Sequence, residues 1–213
     1  TQDGAIQRVF GAGSYGVVFE MEDGKVLKVT RDTTEAPNAL FWMRAQRRLP
    51  FVNKATARIY KVAQKRYEKQ KFGFVLREAV DVRSKIDKDI VKQADAFGES
   101  FQNFCMSLGK TEKAEWLEDA RQAIMRLDST APFLSDTLMY GWNVGFPQYD
   151  LGGRNIGIRT RKAGKYMRPG QIVIFDFGTQ YEHCWNALGQ TYDGISKKYK
   201  NKLRQYGKKV KNL

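Results

Sequence analysis

The sequence predicts an α+β fold of two lobes, with a small antiparallel β lobe over residues 1–82 and a reduced, mostly helical lobe over residues 83–213. Three observations predict it. Short β-type runs crowd the N-terminal part, a tight-turn signal joins two of them, and beyond Ile86 the apolar residues switch to helical spacing.

Residues 5 to 29 read as strand, glycine loop, strand, turn and strand. Gly11-Ala12-Gly13-Ser14-Tyr15-Gly16 runs into Val17-Val18-Phe19-Glu20-Met21, and Asp23-Gly24 separates that run from Lys25-Val26-Leu27-Lys28-Val29. An Asp-Gly pair between two such runs signals a two-residue hairpin, so the glycine loop joins strands of an antiparallel sheet. Ala36 to Arg48 reads as a helix with Glu35 and Pro37 in its first turn. Residues 57 to 64 and 71 to 80 give two more strands around the polar run Lys65 to Gln70. Ile86 to Phe104 and Lys113 to Leu127 read as helices, the second marked by Trp116, Leu117, Ala120, Ala123, Ile124 and Leu127. After a loop at 147 to 155, β runs return at 155 to 159 and 171 to 176, flanking the basic insert Arg159 to Arg168.

Composition bounds the function. A chain of 213 residues with 42% hydrophobic and 13% aromatic residues folds around a real core, which excludes disordered and collagen-like classes. It carries no apolar run of membrane-span length and no signal-peptide pattern, so a soluble, cytoplasmic protein without membrane contact is expected. Cys105, Cys184 and His183 have no zinc-site spacing, and the cysteines are expected as reduced core residues. A net charge of +14 points to a polyanionic partner, for which ATP, nucleic acid and an acidic protein all qualify.

Four motifs in order carry chemistry. The first, Gly11 to Val18, fits GxGxxGxV; because it runs into a strand and not a helix, it reads as a strand-to-strand flap whose amides can approach phosphate oxygens, and not as a dinucleotide fingerprint. The second is Lys28, a lysine on an apolar strand, whose charge needs an anionic partner such as a triphosphate. Asp150-Leu151-Gly152-Gly153-Arg154-Asn155 and Asp176-Phe177-Gly178 are the third and fourth. Phosphoryl transfer asks for a carboxylate facing the acceptor hydroxyl, which suits Asp150, and for oxygen ligands to magnesium, which suits Asn155 and Asp176.

These residues resemble the protein kinase-like superfamily, and the compact C-terminal half looks most like the early serine/threonine kinases of the T-seven group of podophages. The resemblance covers residues 10 to 28 and 148 to 178 and implies a bilobal kinase-like fold using ATP and Mg2+. It implies that Gly11, Gly13, Ser14 and Gly16 cover the phosphates, Lys28 holds the α- and β-phosphates, and Asp150 is the catalytic aspartate. Asn155 and Asp176 would hold magnesium, Val18 and Val26 would line the adenine pocket, and the backbone from Glu78 to Val80 would bond the base. The implied biology is modification of host proteins in the host cytoplasm, including RNA polymerase and other nucleic-acid-handling proteins, with shutoff of host transcription.

The sequence departs from that pattern in three places. Gln148-Tyr149-Asp150 replaces the usual His-Arg-Asp, and no Ala-Pro-Glu follows Gly178. Glu35 is the one nearby candidate to pair with Lys28, or it is simply a favourable first-turn acid. A small-molecule kinase of the aminoglycoside-phosphotransferase type and a pseudokinase binding RNA polymerase or nucleic acid are the alternatives. Ser14 is a candidate autophosphorylation site as well as a small turn residue. The tail from Gly194 to Leu213, rich in lysine, reads either as a solvated terminal helix or as an arm for polyanions.

Overall fold

The computed structural model describes residues 4–82, 86–106, 113–143 and 155–178. Its N-terminal part is a five-stranded antiparallel sheet made of β1 (Ile6–Gly13), β2 (Gly16–Met21), β3 (Lys25–Thr30), β4 (Ile59–Tyr67) and β5 (Gln70–Glu78), in the order β1-β2-β3-β5-β4. The central place of β3 matters for the site. Lys28 is paired with Val18 on one side and Val75 on the other, so a charged residue stands among valines on one face of the sheet. The turn between β2 and β3 differs from the expected two-residue form. It is the three-residue loop 22–24, closed by the Gly24 amide donating to the Met21 carbonyl at 2.9 Å, with Gly24 at φ 73°. Glycine takes that left-handed conformation without a Cβ penalty.

The expected helix after β3 is α1 (Glu35–Gln46). Every residue from Glu35 to Trp42 is buried, which marks a helix covered on all sides and not a surface helix with one apolar stripe. One side packs on β4 and β5. On the other, Phe41 stacks on Tyr140 at 6.1 Å between ring centroids. α2 (Pro50–Ala55), α3 (Lys88–Met106), α4 (Lys113–Thr130) and α5 (Pro132–Asn143) complete the helices among the described residues. α3 packs along α4, and α5 packs against both α4 and α2. The resulting apolar core is continuous from α1 and β5 to α3, α4, α5 and the strand residues Ile156 and Ile174. Among the described residues no helix is long and apolar enough to cross a membrane.

A second antiparallel sheet of β6 (Val80–Asp81), β7 (Ile156–Arg159) and β8 (Ile172–Ile174) lies where the two halves meet. Arg159 fastens it. Its guanidinium is 1% exposed and pairs with Glu78 Oε1 at 2.7 Å, donates to the Thr56 carbonyl at 2.7 Å and reaches Gln171 Oε1. A buried arginine satisfied in this way is stable in place, whereas removing one partner would strand the other charge. The Asp150 loop, His183, Cys184, the lysine-rich tail and the segment 83–85 at the expected lobe boundary lie outside the described residues, as does the side chain of Cys105.

Candidate active site

β2, β3, the end of β5, β6 and the residues after β8 surround a cleft of about 890 Å³. Its lining includes Val18 and Val26 from the sheet, Val80 from β6 and Phe175 after β8. Gly11 and Ala12 reach it from β1, at a point where the β1–β2 register slips between Val9 and Gly11. Such a bulge re-aims a strand edge, here beside the cleft.

The glycines of the loop have different work. A Cβ on Gly11 or Gly13 would meet nothing within 4 Å, so their faces are open to an approaching ligand. A Cβ on Gly16 would fall 2.9 Å from Thr30 Cα and against the Val29 carbonyl, so Gly16 is required by the packing of β2 on β3. Gly13, Ser14 and Gly16 lie at the hairpin tip, outside the cleft lining. That tip is fastened to the end of β3: the Arg31 amide donates to the Tyr15 carbonyl at 2.7 Å and Arg31 Nη2 to the Ser14 carbonyl at 3.3 Å. Ser14 itself is exposed.

Lys28 is the centre of the charged cluster. Its Nζ donates to Asp176 Oδ1 at 2.8 Å and Oδ2 at 2.7 Å, and lies 3.0 Å from Glu35 Oε2. The structure thus decides between the two readings of Glu35, which faces the strand lysine from the first turn of α1. Burial works against the Lys28 charge, but the carboxylates of Glu35 and Asp176 hold its pKa above the ordinary value. One ammonium cannot fully serve two carboxylates, and the mismatch settles on the more buried one. Burial and then the Asp176 charge push Glu35 up to about 7. Asp176 also suffers from burial, yet the Lys28 charge and hydrogen bond and the Gly178 amide, 3.1 Å from Oδ1, keep it below the ordinary carboxylate value.

Neighbouring groups hold this arrangement. Asn38, one turn after Glu35, donates from Nδ2 to the Phe177 carbonyl at 3.0 Å, so α1 positions both the lysine's partner and the backbone after Asp176. Asp32 caps Thr34 through Oδ1, accepting from its amide at 2.8 Å and its hydroxyl at 2.6 Å. A Cβ on Gly178 would fall 2.7 Å from Asp32 Oδ2, so a side chain there would displace that carboxylate. Asn155 precedes β7, and its carbonyl accepts the Phe175 amide at 3.1 Å, which sets it beside the Asp176 segment. Asp150 lies outside the described residues.

Glu78 stands apart from the other expected base-binding positions. Its side chain is spent on Arg159 and on the Arg58 amide, its own amide donates to the Arg58 carbonyl at 2.9 Å, and its carbonyl accepts from Arg77 Nη1 at 3.0 Å. Val80 does line the cleft, with Ala79 beside it. Sequence reasoning missed Asn38 and Arg77. Asn38 sits at helical spacing from Glu35, and Arg77 interrupts the apolar run Phe74-Val75-Leu76 much as Lys28 interrupts its own strand.

Strand order and cluster together define an α+β fold in which the strand lysine, helix glutamate and Asp-Phe-Gly turn meet in one place. No family model and no curated protein sequence matches the chain. Among solved structures, the GDP and kanamycin complex of the phosphotransferase APH(2″)-IIIa is similar at 15% identity and a TM-score of 0.32, covering 97% of this chain and 82% of that one. The streptomycin and ATP complex of APH(2″)-IIa is similar at 14% identity and a TM-score of 0.27, covering 97% and 84%. At these values neither neighbour assigns a donor or an acceptor to this chain.

Proposed function

We propose that the chain is a phosphotransferase that moves the γ-phosphate of a purine nucleoside triphosphate, ATP in the form the motifs usually serve, to a hydroxyl acceptor with Mg2+. The observation that carries this reading is the Lys28 ammonium clasped between Glu35 and Asp176 within 3.0 Å of each. That ammonium answers two carboxylates. With a triphosphate bound it would hold the α- and β-phosphates, Gly11 would cover them, and Val18, Val26 and Val80 would pack on the base.

Asp176 and Asn155 are hard oxygen donors on neighbouring segments, and Asp176 is kept ionised by its partners. That set suits magnesium, which takes one or two protein oxygens and completes its shell with phosphates and water. The ion, when bound, supplies charge neutralisation on the phosphates. Asp150 is the proposed group that orients the acceptor hydroxyl and receives its proton.

Two acceptors fit a hydroxyl-directed site. The first is a protein serine or threonine, for which an acidic protein partner suits a chain with net charge +14. A small-molecule alcohol is the second reading, and the same lysine and carboxylate cluster serves it. The test is incubation with γ-labelled nucleotide and Mg2+, with a cell lysate in one arm and a panel of amino sugars and other alcohols in the other. Label on protein supports the first reading, and label on a small molecule the second. Label on neither, with nucleotide bound, would contradict the transferase reading.

A further inference from the structure

The tip of the basic insert between β7 and β8, residues 163–167, takes no part in lining the cleft. It is folded back on itself: the Ala163 amide donates to the Met167 carbonyl at 3.2 Å and the Met167 amide to the Gly164 carbonyl at 3.3 Å. Two side chains fasten it from outside. Gln171 Nε2 donates to the Tyr166 carbonyl at 3.0 Å, and Arg58 Nη1 donates to the Ala163 carbonyl. With the end of α1 and the start of β4, the folded tip walls a cavity of about 320 Å³ that shares no lining residue with the cleft.

Arg47, Arg58 and Lys165 line this cavity, and no acidic residue does. All three are exposed, and among the described residues no carboxylate forms an ion pair with any of them. The acids closest to this wall are already committed, Glu78 to Arg159 and to the Arg58 amide, and Asp23 to Lys25. Exposed cations are commonly just solvated, so charge alone decides nothing. Form separates this cluster from a solvated face. Arg58 is held in place by the Ala163 carbonyl and over the Tyr60 ring at 5.0 Å, so it loses less freedom on meeting a ligand. The floor is apolar, with Ile59 and Met167 buried beside Met43. The C-terminal carbonyls of α1, which would repel an anion, are served from within the protein: Ala45 by the Arg48 and Leu49 amides, Gln46 by Asn53 Nδ2.

Such a cavity suits a ligand that carries an oxyanion beside an apolar group, because guanidinium groups match carboxylate and phosphate oxygens while the floor offers nothing polar. A nucleic-acid strand asks for something else, a basic groove that follows successive phosphates and free aromatic faces for the bases. Here the cations share one concavity, and the rings are taken: Tyr60 by Arg58 and Lys25, the latter at 4.9 Å, and Tyr166 by Lys165 at 5.3 Å. We infer that this cavity docks an acidic peptide segment of the acceptor protein, its carboxylate or phosphate group held by Arg47, Arg58 and Lys165 and an apolar neighbour seated on Ile59 and Met167. This rests on the protein-acceptor reading above. Docking away from the cleft raises the local concentration of the acceptor without touching the reacting groups, so it acts on KM and leaves kcat alone.

Fluorescence anisotropy of the full chain without nucleotide tests docking apart from transfer. The probes are a short labelled peptide with leucine flanked by glutamates, the same peptide with glutamine or phosphoserine in their place, and a single-stranded RNA of equal charge. The glutamate or the phosphoserine peptide should bind at least about tenfold more tightly than the glutamine one, and which of them does so names the oxyanion. Arg47→Glu with Lys165→Glu, which keeps the bond from Arg58 to Ala163, should weaken that binding at least about tenfold. Lys69→Glu with Lys71→Glu, the same change of charge at the far end of β4, should weaken it by less than about threefold at about 0.15 M salt, where distant exposed charges are screened. Should the first pair fail to fold, Lys165→Glu alone, at the exposed tip, should still cost at least about threefold. Equal losses in the two pairs would reduce the effect to net charge and overturn the docking site, as would binding of neither acidic peptide. RNA bound more tightly than both peptides, and lost in the first pair, would make the occupant a nucleic acid and overturn the peptide reading. Peptide docking without transfer to any protein would strike the phosphotransferase reading and leave the cavity standing. Transfer to protein with an unchanged KM in the first pair would do the reverse.

Discussion

Glu35 carries the sharpest residue-level consequence, because its pKa is raised from 4.5 to about 7 while its neighbour Asp176 is shifted the other way. A carboxyl whose pKa is raised on folding contributes fully below its unfolded value and loses that contribution as pH rises through the folded one. For Glu35 the window runs from about 4.5 to about 7. Asp176 has the opposite sign, contributing above its ordinary 3.8 and losing that as pH falls. Chemical denaturation of the ligand-free protein in chelator should therefore show wild type losing stability relative to Glu35→Gln between those limits, by on the order of 2–3 kcal/mol. Parallel curves for the two proteins across that window would show that Glu35 does not carry the mismatch. The pairing itself was only half legible in the sequence. Glu35 and Lys28 are close along the chain, but the turn through Asp32 and Thr34 decides where the first turn of α1 points. Arg77 escaped for a different reason: an arginine at the end of a strand reads as a solvated terminus until the strand is seen to be covered by Phe175.

At the scale of elements, the glycine loop divides into glycines the sheet needs and glycines a ligand would need. Gly16→Ala should cost about 1–3 kcal/mol, because its methyl would press on the β3 backbone. Gly13→Ala should leave stability within about 1 kcal/mol, since the space there is open, and its effect should fall on turnover. Thermal melts and transfer rates of the two variants would separate them, and equal melting losses would contradict the division. A second element-level device is Asn38. Cutting its bond to the Phe177 carbonyl with Asn38→Ala leaves a buried carbonyl unmet at about 1–3 kcal/mol and should lower turnover by loosening Asp176. A variant that melts early but turns over normally would restrict Asn38 to stability. The strands and α1 were readable because alternation and a charged first turn are local signals. The short helices α2 and α5 were not, although each opens on a proline, Pro50 and Pro132, at its first position. α2 has only six residues, and α5, though as long as α1, has no acidic residue in its first turn to mark its start.

For the whole molecule, the account joins a β half that presents Lys28 and the glycine loop to a second sheet that presents Asp176, with α1 between them and Arg159 fastening Glu78 to the same second sheet. Lys28 and Asp176 lie 148 positions apart in sequence, so their meeting is a property of the fold and not of local structure. The two ends of that contact were legible as motifs; that α1 would also supply Asn38, and that Asp32 would crowd Gly178, depended on packing that no local pattern encodes. The most direct measurement of the central claim is single-turnover transfer from γ-labelled GTP and ATP in Mg2+ by wild type, Lys28→Ala and Asp176→Asn, each checked for its fold by circular dichroism. The account predicts label transfer by wild type to protein or to a small-molecule alcohol, reduced by about 10²-fold or more in both variants with the fold retained. Folded variants that transfer label at the wild-type rate would contradict it.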